Sequence, residues 1–207
     1  MKISVFGLGY VGAVSAGVLA TQGHTVIGVD PNETKVDMLN RGVSPIIEKD
    51  LPELLEKAVA AGRLSATTSA AEAVAATEMS LICVGTPSRS NGSLDLQYIE
   101  RVCTEVGQAL AARTGFHIVV ARSTMLPGTV RDLILPTLEA SSGRRAGEDF
   151  GVCINPEFLR EGTAVHDFYN PPKTVIGESD ERSGAALAAL YRDLDAPLLR
   201  TDVETAE

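Results

Sequence analysis

The stretch Met1–Asp30, MKISVFGLGYVGAVSAGVLATQGHTVIGVD, decides the fold. Ile3-Ser4-Val5-Phe6 is a short apolar run, Gly7-x-Gly9-x-x-Gly12 a turn, and the small residues from Tyr10 onward suit a closely packed helix. Thr25-Val26-Ile27-Gly28-Val29 is a second apolar run, and it ends in Asp30. This is the order of a strand–helix–strand unit. In such a unit the first glycine turns the chain off the strand, the second lets bare backbone approach a ligand, and the third lets the helix lie close on the sheet. A helix opening at Tyr10 and Val11 presents unpaired N–H groups and its positive end to whatever lies there, which suits a pyrophosphate. The expected ligand is therefore a dinucleotide held by Gly7, Gly9, Tyr10, Val11 and Gly12.

Asp30 narrows the choice of ligand. A carboxylate at the end of the second strand can accept hydrogen bonds from both ribose hydroxyls and repels a 2′-phosphate. Pro31 and Asn32 follow it with no arginine to hold such a phosphate, so NAD is expected over NADP. The same aspartate could instead cap the helix beyond Pro31. Lys35, one turn into that helix, can approach the adenosine end or remain a solvated lysine.

Met1-Lys2 and the apolar run to Ala20 also share features with a secretory leader or a marginal membrane span. Four glycines weaken a spanning helix, and Gly23-His24-Thr25-Val26 restarts a strand where a strand–helix–strand unit needs one. No other stretch is apolar enough to span a bilayer, so a cytoplasmic protein is expected. Net charge of −9 argues against a nucleic-acid surface, which needs a basic patch. Hydrophobic content of 44% with only 4% aromatic residues implies an interior of Val, Ile, Leu and Ala, as in a parallel sheet covered on both faces. Cys83, Cys103 and Cys153 form no C-x-x-C pair and read as small buried residues in a reducing compartment. His24, His117 and His166 have no metal-binding spacing, and no metal is expected.

Helix and strand signals keep alternating beyond the first unit. Helices are expected over Asn32–Arg41, Pro52–Ala61, Ser69–Ala76, Asp95–Ala112, Gly128–Ala140 and Asp180–Leu194. Strands are expected over Leu64–Thr68, Ser80–Val84, His117–Val120, Phe150–Ile154, Lys173–Gly177 and Pro197–Arg200. Ser141–Glu148, rich in Gly, Ser and Arg, reads as a mobile loop. The alternation specifies an α/β fold, a doubly wound and mostly parallel sheet of Rossmann type. Ligands of such sheets lie outside the carboxyl ends of the strands. Three of those ends carry polar residues: Gly85-Thr86-Pro87, Arg122-Ser123-Thr124, and the run from Asn155 to Gly162. Thr86 can be a turn hydroxyl and Thr124 a helix cap, or both can face a ligand. Glu157 and Glu161, four apart with Arg160 between them, would share a face on a helical turn, as a polar wall for a sugar or as a surface ion-pair cluster.

Five segments give the chain a family resemblance: FGLGYVGAVSAG, VIGVD, ICVGTPSRSNGSLDL, ARSTMLPGT and NPEFLREGTAVHDF. With them the chain resembles the UDP-glucose/GDP-mannose 6-dehydrogenase family. ARSTMLPGT, YNPPKTVIGE and YRDLDAPLLR are nearer to the GDP-mannose than to the UDP-glucose enzymes. The resemblance implies oxidation of a nucleotide sugar's C6 hydroxyl to a carboxylate in two NAD-dependent hydride transfers, through a thioester on a cysteine. By matching motif it implies that Tyr10, Val11, Asp30, Lys35, Thr86 and Thr124 contact NAD. It further implies that Thr124 and Glu157 stand near the reacting carbon as catalytic residues, and that Glu161 lines the sugar-nucleotide site with a role beside Glu157. The family's nucleophilic cysteine, its assisting lysine and asparagine, and its nucleotide domain match nothing in this chain. The expectation is an NAD-binding domain over residues 1–200, with residues 201–207 opening an inter-domain helix. Such a domain would bind NAD but not complete the oxidation alone. It would form a homo-oligomer through parts beyond it. UDP-glucose as substrate, or a non-catalytic NAD-binding or assembly fragment, are the alternatives.

Overall fold

A computed structural model describes residues 1–207. The first unit forms as its spacing predicts. Strand β1 (Lys2–Phe6) feeds helix α1 (Tyr10–Thr21), which returns to strand β2 (Thr25–Val29), parallel to β1. Every residue of α1 from Gly12 to Ala20 is buried, which explains its small side chains. A side chain at Gly17 would stand 3.1 Å from Leu51 and Leu55, so α1 lies close against helix α3 (Leu51–Ala60).

Between β2 and α3 runs helix α2 (Glu33–Asn40), and strand β3 (Leu64–Thr67) pairs on the far side of β2. Helix α4 (Ala70–Ala76) then carries the chain across to strand β4 (Met79–Ile82) on the other flank of β1. Helix α5 (Gln97–Ala112) leads to strand β5 (His117–Ala121), and helix α6 (Leu135–Ser142) to strand β6 (Phe150–Ile154). Helix α7 (Ala164–Tyr169) precedes strand β7 (Thr174–Glu178), and helix α8 (Glu181–Ala188) precedes strand β8 (Leu198–Asp202) and helix α9 (Val203–Ala206). The eight strands lie in the order β3-β2-β1-β4-β5-β6-β7-β8. Every pairing is parallel except β6 with β7.

Strands β4, β5 and β6 are buried at every residue, which is why they read as unbroken apolar runs. One core lies under α1, α3 and α7, including Ile3, Leu19, Leu55 and Phe168. The other lies under α4, α5 and α6, including Phe6, Ile99, Val106 and Leu138. Each such fully buried Leu, Ile or Phe contributes about 1.5–3 kcal/mol relative to exposure. No helix is long and apolar enough to cross a membrane.

Four details depart from the sequence reading. The helix expected over Gly128–Ala140 opens with a π-helical turn, Val130–Ile134, in which the Leu135 N–H reaches the Val130 carbonyl. Pro136, with no N–H and a ring that crowds the preceding turn, accounts for that widening. The helix expected to run to Leu194 stops at Ala188, where Leu190 and Tyr191 close tighter bonds to Leu187 and Ala188 and turn the Tyr191 ring inward. Thr201 and Asp202, expected to open a helix, instead end β8 by pairing with Gly177 and Glu178 on β7, and the helix there begins at Val203. The segment expected as a mobile loop is tied down. Its Arg144 donates to the Arg113 carbonyl, Ala146 N–H to Glu139 at 3.0 Å, and Gly147 N–H to the Phe150 carbonyl at 2.7 Å.

Candidate cofactor and reaction site

The strand order reverses at β1, whose chain goes to β2 on one side while β4 pairs on the other. That reversal opens a crevice at the carboxyl ends of the strands, the general ligand position of such sheets. Gly7 lies at its mouth with φ +91°, a left-handed conformation, and a side chain there would meet the Cys83 carbonyl at 2.9 Å. A side chain at Gly12 would stand 1.8 Å from the Gly7 carbonyl oxygen, so no other residue fits this turn. Gly9 differs: a Cβ there would have nothing within 4 Å and would project into open space. Gly9 is also the cap position of α1, and no side chain bonds the helix's first amides. Open space beside Gly9 and a helix start with no side-chain cap are what a pyrophosphate cradle requires.

The Asp30 carboxylate is 7% exposed and held from two sides. Its Oδ2 accepts the Leu8 N–H at 2.7 Å and its Oδ1 the Asn32 N–H at 2.9 Å. Lys35 Nζ stands 3.7 Å away. Helix α2 is capped by Asn32, which accepts from Thr34 and Lys35 N–H at 3.0 and 3.3 Å. Capping therefore does not account for Asp30. Gly7, Gly9, Asp30 and Lys35 line one cleft of about 350 Å³, which Tyr98 and Arg101 of α5 also line. Its volume falls in the range of small-molecule sites.

A second cleft, of about 150 Å³, brings Thr124 and Glu157 together with Ser123, Pro156 and Glu207. The strand ends that carry them are bonded to one another. Thr86 Oγ1 donates to the Thr124 carbonyl at 2.7 Å, and Ser123 Oγ to the Val84 carbonyl at 2.7 Å. Glu157 accepts the Leu159 N–H at 2.6 Å. Glu161 lines neither cleft and is exposed. The two glutamates do not share a helical face, because the chain from Asn155 to Arg160 is irregular and α7 begins only at Ala164. Nor does Arg160 bridge them. Its guanidinium pairs with Asp167 at 2.7 Å and holds that carboxyl well below the usual range.

Several residues that build the site carried no sequence signal. Glu48 is buried and accepts the N–H groups of Gly162 at 2.8 Å and Ala164 at 2.9 Å, which seats the turn after Glu161. Gly162 also donates to the Tyr10 hydroxyl, so the first residue of α1 touches that same turn. Arg122 is buried at the end of β5, where it donates to Asn155 Oδ1 and, at 3.2 Å, to the Tyr191 hydroxyl. Its guanidinium lies over the rings of Phe168 and Tyr191. Strand-end position singles out Arg122 and Asn155, but nothing local points to Tyr191. Burial pushes the thiols of Cys83, Cys103 and Cys153 up to about 12, so none is a nucleophile at neutral pH.

A glycine cradle at a strand-order reversal, with a buried carboxylate ending the second strand, defines a Rossmann-type dinucleotide-binding domain. The chain belongs to the UDP-glucose/GDP-mannose dehydrogenase family: the model of that family's NAD binding domain matches residues 1–195. It is 56% identical over 207 residues to a GDP-mannose 6-dehydrogenase of Pseudomonas syringae pv. tomato, covering 100% of this chain and 47% of that protein. It is 38% identical over 206 residues to a UDP-glucose 6-dehydrogenase of Bacillus subtilis, covering 43% of it. Among solved structures, a ternary complex of GDP-mannose dehydrogenase from Pseudomonas aeruginosa superimposes with a TM-score of 0.98 at 55% identity, covering 100% of this chain and 47% of that one. The chain thus spans about half the length of the relatives it matches.

Proposed function

We propose that this chain is the cofactor-binding half of a GDP-mannose 6-dehydrogenase, which oxidises the sugar's C6 hydroxyl to a carboxylate. One observation carries the choice of substrate: whole-chain identity of 56% to a GDP-mannose enzyme against 38–44% to UDP-glucose enzymes. NAD, when bound, supplies the hydride acceptor for the reaction. The open position at Gly9 and the held carboxylate of Asp30 support the fit to this cofactor.

The roles follow from placement. Backbone amides at Gly9, Tyr10 and Val11 bind the two linked phosphates, with Gly7 and Gly12 giving the turn its shape. Asp30 accepts from the adenosine ribose hydroxyls, and Lys35 faces the same end. Thr86 and Thr124, joined by their hydrogen bond, contact the cofactor at the far strand ends. Thr124 and Glu157, sharing one cleft, position a water or take a proton near the reacting carbon. Glu161, exposed beside the Tyr10-bound turn, reaches the sugar nucleotide. Val203–Ala206 begins the connection between two halves of the enzyme, residues 1–200 being the NAD domain. The partners proposed are a nucleotide-sugar substrate and further copies of the same protein, in the cytoplasm.

Calorimetric titration with NAD and NADP tests the cofactor reading: saturable binding of NAD and markedly weaker binding of NADP are expected. No heat with NAD on well-folded material overturns it. The substrate reading is tested by appearance of the NADH band when the complete reading frame is offered GDP-mannose or UDP-glucose. Faster turnover of UDP-glucose would move the protein to the other branch.

A further inference from the structure

The helix that follows Pro127 begins without a cap from its own neighbourhood. Thr129, at the cap position, makes no side-chain cap bond and turns its hydroxyl back to the Leu126 carbonyl at 2.6 Å. Two amides at the start of this helix are nonetheless satisfied. The Glu207 carboxylate accepts the Gly128 N–H at 2.6 Å and the Val130 N–H at 2.7 Å, one on each oxygen, from 77 residues beyond Val130. A carboxylate at a helix N-terminus gains from both the charge-assisted bonds and the helix dipole.

Glu207 is itself well seated. Asp202 caps α9 by accepting the Thr205 N–H at 2.8 Å. Glu204, one turn before Glu207, pairs with Arg131 at 2.7 Å. Ala206 packs where Gly177 leaves room, since a side chain at Gly177 would meet its Cβ at 2.6 Å. The same Glu207 carboxylate lines the cleft that holds Thr124 and Glu157. Only Met125, Leu126 and Pro127 separate Thr124 from the clamped Gly128 amide, and the proline fixes one of the intervening torsions.

We propose that Glu207 is a positioning residue for Thr124: by clamping the amides of Gly128 and Val130 it sets where Thr124 stands relative to Thr86 and Glu157. The inference rests on the reading of Thr124 as a cofactor contact given above. Glu207→Ala removes the clamp, while Glu207→Gln keeps the length but loses the charge and one acceptor.

The test uses the full chain, NAD calorimetry and ¹⁵N-resolved amide signals. In Glu207→Ala, NAD affinity should fall about three- to tenfold, the amide exchange of Gly128 and Val130 should accelerate, and the Thr124 amide should shift. Added formate should restore all three where chloride at equal ionic strength does not, and Glu207→Gln should lie between. Rescue by a free carboxylate separates positioning from a general loss of stability. Unchanged NAD affinity in a folded Glu207→Ala chain, or failure of formate to rescue, overturns the inference. Should Glu207→Ala fail to fold, Glu207→Gln decides: a smaller fall in NAD affinity, with faster exchange at one of the two amides and a shift at Thr124, is required of it. If the unaltered chain binds no NAD, the cofactor reading fails instead. The positioning claim is then decided by whether the Thr124 amide moves in Glu207→Ala and returns with formate.

Discussion

The Thr86 hydroxyl donates to the Thr124 carbonyl at 2.7 Å, joining the ends of β4 and β5 across 38 residues of sequence. The bond makes the two threonines one unit, so a change at either should be felt at both. Thr86→Val removes the donor and should cost about 1 kcal/mol, or a melting temperature lower by about 2–4 °C. It should also weaken NAD binding, whereas Thr86→Ser should preserve both. Differential scanning calorimetry and NAD titration check this. A Thr86→Val chain with unaltered affinity would make the bond structural only.

Gly9 and Gly12 look alike in the motif but differ in what surrounds them. Gly9 has open space where a side chain would go, and its backbone is extended (φ −81°, ψ −158°), outside the left-handed region that favours glycine. Gly9→Ala should therefore fold with a near-normal melting temperature and lose NAD binding, because on the proposed cradle the methyl would fill the space given to the phosphates. Gly12→Ala would place Cβ 1.8 Å from the Gly7 carbonyl and should lose stability as well, by about 1–3 kcal/mol or more. Thermal melts beside calorimetric titration of the two variants check the contrast.

That contrast also marks what the chain discloses on its own. The glycine turn, β1, β2 and the buried strands β4 to β6 are local patterns, set by residues close in sequence, and they read correctly. Asp30 stood out because the end of a second strand is a fixed place in this architecture. Glu48, Tyr191 and Glu207 were silent because each acts on a partner far along the chain. Glu48 bonds Ala164 at a separation of 116 residues, and Tyr191 bonds Asn155 at 36. A glutamate in a polar stretch looks the same whether it is solvated or caps a distant helix. The pairing of Glu157 with Glu161 misread for a related reason: four-residue spacing implies a shared face only where the backbone is helical, and here it is not.

Asp30 should govern the choice between NAD and NADP. Its two oxygens are committed to the Leu8 and Asn32 amides on one side and face the cleft on the other. Asp30→Asn keeps one acceptor and removes the charge that repels a 2′-phosphate. NAD affinity should fall about tenfold, since hydrogen bonds to charged groups are worth roughly 1.5–3 kcal/mol. NADP should lose less or gain, so that the ratio of the two dissociation constants narrows. Paired titrations with the two cofactors measure that ratio. An unaltered ratio would remove Asp30 from the discrimination.

His117 should make the fold sensitive to mild acid. It is fully buried at the start of β5, with Nε2 2.8 Å from Ser80 Oγ, and Ser80 in turn bonded to Ser4 at 2.7 Å. Burial, with a smaller contribution from the Arg113 charge, pushes its pKa down from 6.5 to about 3. Between those values the unfolded chain binds a proton that the folded chain refuses. The contribution is thus complete above about pH 6.5 and is lost as pH falls toward 3, by a total on the order of 4 kcal/mol. His24, also held below its ordinary value, titrates in the same direction, so the informative quantity is the difference between variants. His117→Gln cannot titrate but can still bond Ser80. Urea unfolding at pH 7 and pH 5 should show a smaller loss of stability in His117→Gln than in the unaltered chain. Equal losses in the two would mean that His117 takes up no extra proton on unfolding.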